Sequence, residues 1–414
     1  MAVAAPALAP PAVLPGAPPR ALRSVPPAPA GGRPRRVPRD PFVDVVRAIG
    51  TVAVVLLHWL MAEATWDGST LQVGNALGHG SAWVLTWGQP LALLFFASGA
   101  SGAYQRVATA TAGRRWAGVL GSALRSVARP VGAFVVAWGA GVAVLLAAGV
   151  PDDAVWRMAR MAPQLLWFLA VWVVLLALVP VLQAAWRRWR WGALALAVAL
   201  PLAVDALRFG LPGDTTTALA GANVVLAWAA PFLAGVAYAT ERSQPRRPEA
   251  GSGRGGRAVL VAVGLAAALA TAALVAVGPY PRSLIGMPGD AISNLGPPTA
   301  PIVTHAVALV CAVLLARRAA VRWATSPGGR AVTSTLARRS MTVYLWHLTA
   351  MFAVVGAALL GLGQELPASW GADWWASRPV WFAAYLLVLL VLVRAFGRFE
   401  DRRRTVPQRG SGTP

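Results

Sequence analysis

Long apolar runs alternate along the chain with short connections that are rich in arginine. A bilayer core requires about 20 consecutive, mostly apolar residues for each helix that crosses it. The pattern therefore predicts an all-α, polytopic membrane protein with about ten transmembrane helices. The predicted spans cover residues 42–62, 81–104, 127–150, 164–183, 191–208, 218–239, 257–278, 300–317, 335–361 and 379–396.

The composition excludes a soluble globular enzyme. Hydrophobic residues make up 57% of the 414 residues, charged residues only 13%, and the mean hydropathy is +0.59. Soluble domains carry about 25% charged residues. The net charge is +22, and all 37 basic residues are arginines. Because these arginines lie between apolar runs, the sequence predicts contact with a lipid bilayer and no nucleic acid partner.

The distribution of the arginines predicts the orientation of the protein. With arginines near the ends of spans counted in the adjacent connection, as for Arg208, the two tails and the even-numbered connections contain 31 arginines and the odd-numbered connections contain 5. The remaining one, Arg47, lies within the first span. Positive residues are enriched in cytoplasmic connections. We therefore expect both termini in the cytoplasm and a multi-pass protein of the cell membrane. The alternation also supports ten spans, because one span more or fewer would disrupt it.

The predicted domain organisation is one membrane domain between two tails. Residues 1–38 are rich in alanine and proline and predict a disordered cytoplasmic tail, residues 39–397 the transmembrane domain, and residues 398–414 a basic cytoplasmic tail. The single cysteine, Cys311, excludes an intramolecular disulfide and any Cys-based metal motif. We expect no metal site and no tightly bound cofactor.

The first predicted helix carries three ionisable residues, Asp44, Arg47 and His58. Each charged side chain in the hydrocarbon core costs about 2.5–3.5 kcal/mol on insertion scales, so such residues suggest a function. Asp44 and Arg47 are three residues apart and can pair on one helix face. Arg47 and His58 are eleven residues apart, which places them on one stripe and about 16.5 Å apart along the axis.

This arrangement resembles the signature of membrane acyltransferase family 3, the O-antigen-acetylase-like proteins, in which an arginine and a histidine are separated by ten residues on the first helix. Three further segments are similar to family motifs, and the resemblance runs from about residue 39 to 396. These segments are Phe95-Phe96-Ala97-Ser98-Gly99, Leu166-Trp167-Phe168-Leu169 and Ser340-Met341-Thr342-Val343-Tyr344-Leu345-Trp346-His347.

The resemblance implies transfer of an acyl group from cytoplasmic acyl-CoA to a hydroxyl of a sugar, an envelope polymer or a secreted metabolite. It implies that His58 and Arg47 are catalytic. A neutral imidazole can accept the proton of an attacking hydroxyl, and this is typically worth 10²–10⁴-fold in rate. Direct transfer and a transient acyl-histidine both fit His58. We favour direct transfer because it requires fewer steps.

Helix depths predict a second group of residues. If the helices enter the membrane near Phe42, Arg106 and Arg338-Arg339-Ser340, Ser98 lies about 12 Å from the cytoplasmic boundary and, counted from Ser340, Tyr344 about 6 Å and His347 about 10 Å. Arg47 lies at about 8 Å and His58 at about 24 Å on the same scale. We therefore predict an inner, donor-side cluster that binds substrate, consisting of Asp44, Arg47, Ser98, Tyr344 and His347. The acceptor would reach His58 from the outside.

Alternatives remain open at this point. A permease would also contain many helices with buried charge, although the two halves lack matching interrupted helices. A non-enzymatic sensor or scaffold is the third class. Asp44 and Arg47 can be a pair that only neutralises charge, and Ser98-Gly99 a contact between helices. The longest outer connection, residues 279–299, can roof the acceptor pocket. The acyl chain, the acceptor and the oligomeric state stay undetermined.

Overall fold

Helices form most of the computed structural model, which describes residues 40–210, 215–244 and 254–401. The predicted disordered tail 1–38 and most of the basic carboxyl tail lie outside the described residues. The α-helices in these ranges are α1 Pro41–Leu60, α2 Leu91–Thr111, α3 Trp116–Ala147, α4 Asp152–Met161, α5 Leu166–Ala177, α6 Val179–Trp189, α7 Trp191–Gly210, α8 Thr215–Ala220, α9 Asn223–Arg242, α10 Arg254–Val277, α11 Ala300–Leu315, α12 Arg317–Thr325, α13 Pro327–Gly356 and α14 Ala372–Phe396.

Eight helical segments in the described ranges are long and apolar enough to cross a membrane. A ninth results if α11 and α12, which meet at a bend of 56°, form one span. Helix α2 is not in this group, because its second half carries Tyr104, Gln105 and Arg106. The prediction of an all-α, multi-pass membrane protein is therefore confirmed. The exact count of ten spans and the cytoplasmic position of both termini stay predictions.

Several predicted boundaries were wrong, and the physical reasons are local. The second run begins as a 3₁₀ segment, Ala82–Gly88, and its α-helix starts only at Leu91, because a residue before a proline, here Gln89, disfavours helical backbone. The ninth run begins eight residues earlier than predicted, at Pro327. There Ser326 caps the helix by accepting a hydrogen bond from the Gly329 amide.

The connection between α1 and α2 contains the β-strands of the described residues. Strands β1, Ala64–Trp66, and β2, Leu71–Val73, pair in antiparallel register. Asp67 stabilises the turn between them by accepting hydrogen bonds from the amides of Ser69 and Thr70 and from the Ser69 hydroxyl. These donors, the Thr70 amide first, lower the pKa of the exposed Asp67 carboxyl.

Helices α2 and α9 pack more closely than side chains would allow. A Cβ atom added to Gly99 of α2 would lie 2.0 Å from the carbonyl oxygen of Phe232 on α9. A Cβ atom on Gly235 of α9 would lie 2.0 Å from the carbonyl oxygen of Phe96 on α2. Small residues permit such backbone contact between helices in a membrane. The glycine of the Phe-Phe-x-Ser-Gly segment therefore has a structural role.

A buried carboxylate fixes the connection between α10 and α11. Asp205 of α7 is 1% exposed, and its Oδ2 accepts hydrogen bonds from the Tyr280 hydroxyl at 2.7 Å and the Ala300 amide at 2.8 Å. Within the connection, the buried Asn294 donates to the carbonyls of Pro281 and Ser283. The connection is thus tied to the helices at both of its ends.

Candidate functional site

Two histidines from distant parts of the chain meet between α1 and α13. His58 Nδ1 lies 3.3 Å from His347 Nε2, and the ring centroids are 5.0 Å apart. His58 Nδ1 also lies 2.8 Å from the carbonyl oxygen of Val54, one turn earlier on α1. His347 Nδ1 lies 2.7 Å from the carbonyl oxygen of Tyr344. Each ring is therefore held by its own helix and by the other ring.

The partners assign the protons on both rings. A carbonyl oxygen only accepts, so the Nδ1 atom that faces a carbonyl carries the hydrogen when the imidazole is neutral. His347 Nδ1–H then donates to Tyr344, which leaves His347 Nε2 as an acceptor. The Nδ1–H of His58 is shared between Val54 and His347. His58 Nε2 keeps its lone pair, which suits a proton acceptor.

Further contacts position this pair. The Trp59 indole donates to the carbonyl oxygen of His347 at 3.1 Å and so joins α1 to α13 beside the two rings. The buried Tyr344 hydroxyl donates to the carbonyl oxygen of Leu165 at 2.7 Å. Leu165 is the last residue of a 3₁₀ turn that precedes α5. Tyr344 thus connects the histidine pair to the Leu-Trp-Phe-Leu segment that begins at Leu166.

A cavity of about 380 Å³ reaches His58. It is formed by the carboxyl-terminal ends of α1, α4 and α13, the amino-terminal end of α2, the 3₁₀ turn and first residues of α5, the β1–β2 hairpin and the connection between α10 and α11. Ile285, Gly286 and Leu295 of that connection line it, and the role of the connection as the roof of an acceptor pocket stays a prediction. His58 is therefore not sealed in a dry seam between helices.

Arg47 lies in a separate group, nearer the amino-terminal end of α1. Its guanidinium pairs with Asp44 at 3.6 Å, as predicted from their spacing, and donates to the Ser101 hydroxyl of α2. Ser101 in turn donates to the carbonyl oxygen of Ala97 at 2.8 Å. The α2 partner of Arg47 is thus Ser101, whereas the predicted Ser98 lies half-buried one turn earlier. Sequence reasoning missed Ser101 because it followed the Phe-Phe-x-Ser-Gly motif.

The predicted depth of His347 and Tyr344 was wrong. They do not lie beside Arg47 but belong to the His58 group, and Arg47 and His58 are about 16.5 Å apart along α1. The error came from the assumed membrane entry near Arg338. Counted from the actual start of α13 at Pro327, His347 is 20 residues along its helix, close to the 17 residues that separate Pro41 from His58. The substrate-binding role of His347 and Tyr344 stays a prediction.

Asp40, which belongs to none of the sequence motifs, joins three helices near the start of α1. Its Oδ2 accepts hydrogen bonds from the hydroxyls of Tyr104 on α2 at 2.7 Å and Tyr238 on α9 at 3.0 Å. Arg242 Nε lies 3.6 Å from the same oxygen, and Arg317 Nε donates to the Tyr238 hydroxyl. The available sequence signal was an aspartate directly before Pro41, a typical helix cap.

A basic groove of about 500 Å³ lies between the end of α2 and α6. Arg106, Arg187 and Arg188 line it, and its lining contains no acidic side chain. Leu91, the first residue of α2, lines the His58 cavity instead. Fifteen residues separate Leu91 from Arg106, so the groove and the cavity lie at opposite ends of α2, about 22 Å apart along its axis.

The geometry of the described residues does not suggest a metal centre. Within the ranges 40–210, 215–244 and 254–401, no group of three or more His, Cys, Asp or Glu side chains is arranged to hold a metal ion. The chemistry available at His58 is instead that of a positioned imidazole in a mostly apolar cavity. Such a group can accept a proton from a nucleophile or act as a nucleophile itself.

Comparison with known proteins identifies one family. A family model described as an acyltransferase domain matches residues 40–404, which is most of the chain. No curated protein and no solved structure matches the chain. The match covers the histidine pair, the Arg47 group, the cavity beside His58 and the basic groove.

Proposed function

Because the chain belongs to the membrane acyltransferase family 3, we propose that it transfers an acyl group from cytoplasmic acyl-CoA to a hydroxyl group of an acceptor. This acceptor is a sugar, an envelope polymer or a secreted metabolite. The observation that carries this proposal is the His58 ring, which lines a cavity and whose Nδ1 contacts the carbonyl oxygen of Val54 and His347 Nε2.

In the proposed reaction, His58 Nε2 accepts the proton of the acceptor hydroxyl while its oxygen attacks the thioester carbonyl carbon. A new C–O bond forms and the C–S bond breaks. The sulfur leaves as a thiolate and takes the proton from the His58 imidazolium, so the products are an ester and free coenzyme A. General base catalysis of this kind typically contributes 10²–10⁴-fold to the rate.

The Arg47 group suits the donor. A guanidinium can orient the thioester arm or meet one of its phosphates, and Asp44 and Ser101 hold that guanidinium in position. In this proposal Ser98, one turn from Ser101 on α2, also contacts the donor. The rise of about 16.5 Å from Arg47 to His58 is commensurate with an extended pantetheine arm.

The basic groove supports a phosphate-bearing donor on the cytoplasmic side. Three guanidinium groups without an acidic neighbour in the lining suit the phosphates of coenzyme A, because arginine forms bidentate hydrogen bonds with phosphate. The groove and the His58 cavity lie at opposite ends of α2, as expected for a donor and an acceptor that approach from opposite sides of a membrane.

Radiolabelled acetyl-CoA supplied to the purified full-length protein tests the proposal. Label that moves to a hydroxyl-bearing acceptor supports it, and His58→Ala should reduce that transfer by at least 10²-fold. His305→Asn is the matched control, because His305 is a buried histidine on α11 that does not line the cavity. Transfer that persists in His58→Ala protein would contradict the catalytic role of His58.

A second measurement addresses the whole organism. Mass spectrometry of the envelope and of secreted metabolites, with and without the gene, should reveal a mass difference of one acyl group. Solute accumulation in vesicles without any acyl-CoA consumption would instead favour a permease.

A further inference from the structure

We propose that the acceptor is a hydroxyl-bearing molecule whose body is apolar around the reacting oxygen, and that the cavity beside His58 excludes free sugars. This inference rests on the proposed function, since it assigns an occupant to the same cavity. Its evidence is independent of the family and comes from the lining of the cavity.

The lining is almost entirely apolar. It is formed by 28 residues. Apart from the indole of Trp167, polar side chains come only from His58, Glu63, Gln89 and Gln164. Flexible thioether and aliphatic side chains dominate, which is typical of surfaces that bind irregular apolar shapes. Examples are Met61, Met158, Met161, Met351, Leu359 and Leu360.

Part of this polar surface already contacts the protein itself. Glu63 Oε1 accepts hydrogen bonds from His79 Nε2 at 2.7 Å and from the Ser369 hydroxyl at 3.0 Å. Gln89 is 1% exposed, its Oε1 accepts from the Leu91 amide, and its amide nitrogen is buried away from the cavity surface. Among the side chains, this leaves His58 Nε2, Glu63 Oε2, the Trp167 indole and the exposed Gln164 to meet a ligand.

The small number of polar groups in the cavity lining does not match the hydroxyl groups of a sugar. A sugar ring presents several hydroxyl groups, and each one that is buried without a partner costs about 1–3 kcal/mol. A molecule with an apolar body needs a single polar contact, the one from its reacting hydroxyl to His58. Its burial is favourable at about 25 cal/mol per Å² of apolar surface.

The position of the cavity favours the acceptor over the acyl chain as its occupant. The cavity is formed by the last turns of α1 around His58, by the end of α13 beyond His347, by α4 and the start of α5, and by the connections at that end. Arg47 and the basic groove lie toward the other end of the helices. A donor that arrives from the groove reaches His58 from the side of Arg47. The cavity, on the other side of His58, remains for the acceptor.

Cysteine labelling tests this assignment without any acyl transfer. In a Cys311→Ala background, Met161→Cys places the only thiol of the full-length protein in the cavity wall. We expect cyclododecanol to slow its reaction with N-ethylmaleimide at least tenfold, and methyl glucoside at the same concentration to have no effect. Val84→Cys is the control, because Val84 is 51% exposed in the 3₁₀ segment before α2, and cyclododecanol should not protect it.

Three labelling results would overturn the inference: equal or better protection by methyl glucoside, no protection by either alcohol, and protection by decanoyl-CoA but not by cyclododecanol. The last would assign the cavity to the acyl chain.

Transfer from radiolabelled acetyl-CoA to the two alcohols is a second experiment, and we expect cyclododecanol to be the better acceptor. If cyclododecanol protects the thiol but no acetyl-CoA is consumed, the proposed function fails while the apolar ligand class stands.

Discussion

His347 Nε2 lies 3.3 Å from His58 Nδ1, although 289 residues separate the two histidines in the chain. His347 does not reach the cavity lining, whereas His58 does. From this geometry we propose that His347 is a positioning residue, which favours the His58 tautomer with hydrogen on Nδ1 and a lone pair on Nε2.

Replacement of His347 should lower kcat and leave the KM for acyl-CoA nearly unchanged. Loss of one hydrogen bond worth about 1–2 kcal/mol predicts a 5–30-fold decrease for His347→Ala. His347→Gln should retain more activity than His347→Ala, because its amide oxygen can accept the same hydrogen bond. Steady-state kinetics of the three proteins test this role. An equal loss in both variants, or a loss confined to KM, would argue against positioning.

The basic groove predicts a donor-specific binding defect. Arg187→Gln combined with Arg188→Gln should raise the KM for acetyl-CoA about tenfold, or about 1.4 kcal/mol, with a larger effect at low salt. Arg114→Gln with Arg115→Gln is the matched control, since these arginines lie between α2 and α3 and do not line the groove. If both pairs change KM equally, the effect comes from general surface charge.

The close contact of α2 and α9 predicts strong sensitivity at two glycines. Gly99→Ala and Gly235→Ala should each destabilise the protein by about 1–3 kcal/mol or more, because the new methyl group would meet a carbonyl oxygen 2.0 Å away. Gly139→Ala on α3 is the control, since nothing lies within 4 Å of the added atom. Thermal unfolding of the three variants in detergent measures the difference. A stable Gly99→Ala protein would mean that the helices separate easily.

The Tyr280–Asp205 hydrogen bond predicts a pH effect on stability. Burial first, and then the hydrogen bond to Asp205 and its negative charge, raise the pKa of the Tyr280 hydroxyl above its ordinary value. A group with a raised pKa in the folded protein stabilises it fully below the unfolded pKa of about 10 and loses this contribution as the pH rises further.

Near pH 8, loss of this hydrogen bond in Tyr280→Phe should lower the free energy of unfolding by about 1 kcal/mol. The variant should therefore unfold at a lower temperature than the native protein. This difference should shrink above about pH 10. Thermal unfolding of both proteins between pH 8 and pH 11 provides the measurement. A difference that stays constant over this range would show that Tyr280 contributes through packing alone.

Residue spacing within one helix could be read reliably from the chain. The pairing of Asp44 with Arg47, and the distance of about 16.5 Å from Arg47 to His58, follow from the rise of 1.5 Å per residue within a single helix. The apolar runs likewise identified the class of the protein, and the motif order identified its family.

The axial alignment of one helix relative to another could not be predicted in the same way. The inner cluster was predicted from assumed membrane entry points, and the entry assumed near Ser340 lies 13 residues after the start of α13, which moved His347 from the His58 group to the Arg47 group. Likewise, the motif pointed to Ser98, while the approach of α1 to α2 selected Ser101 as the partner of Arg47.

The chain alone thus specified its helices, its membrane class, its family and the stripe that carries Arg47 and His58. The folded structure decided which helices lie against that stripe, and so brought His347 to His58 and opened a cavity there. The physical reason is that hydrophobicity and helix geometry are local properties of the sequence. The axial offset between helices is set by contacts of residues far apart in the chain, such as Gly99 with Phe232.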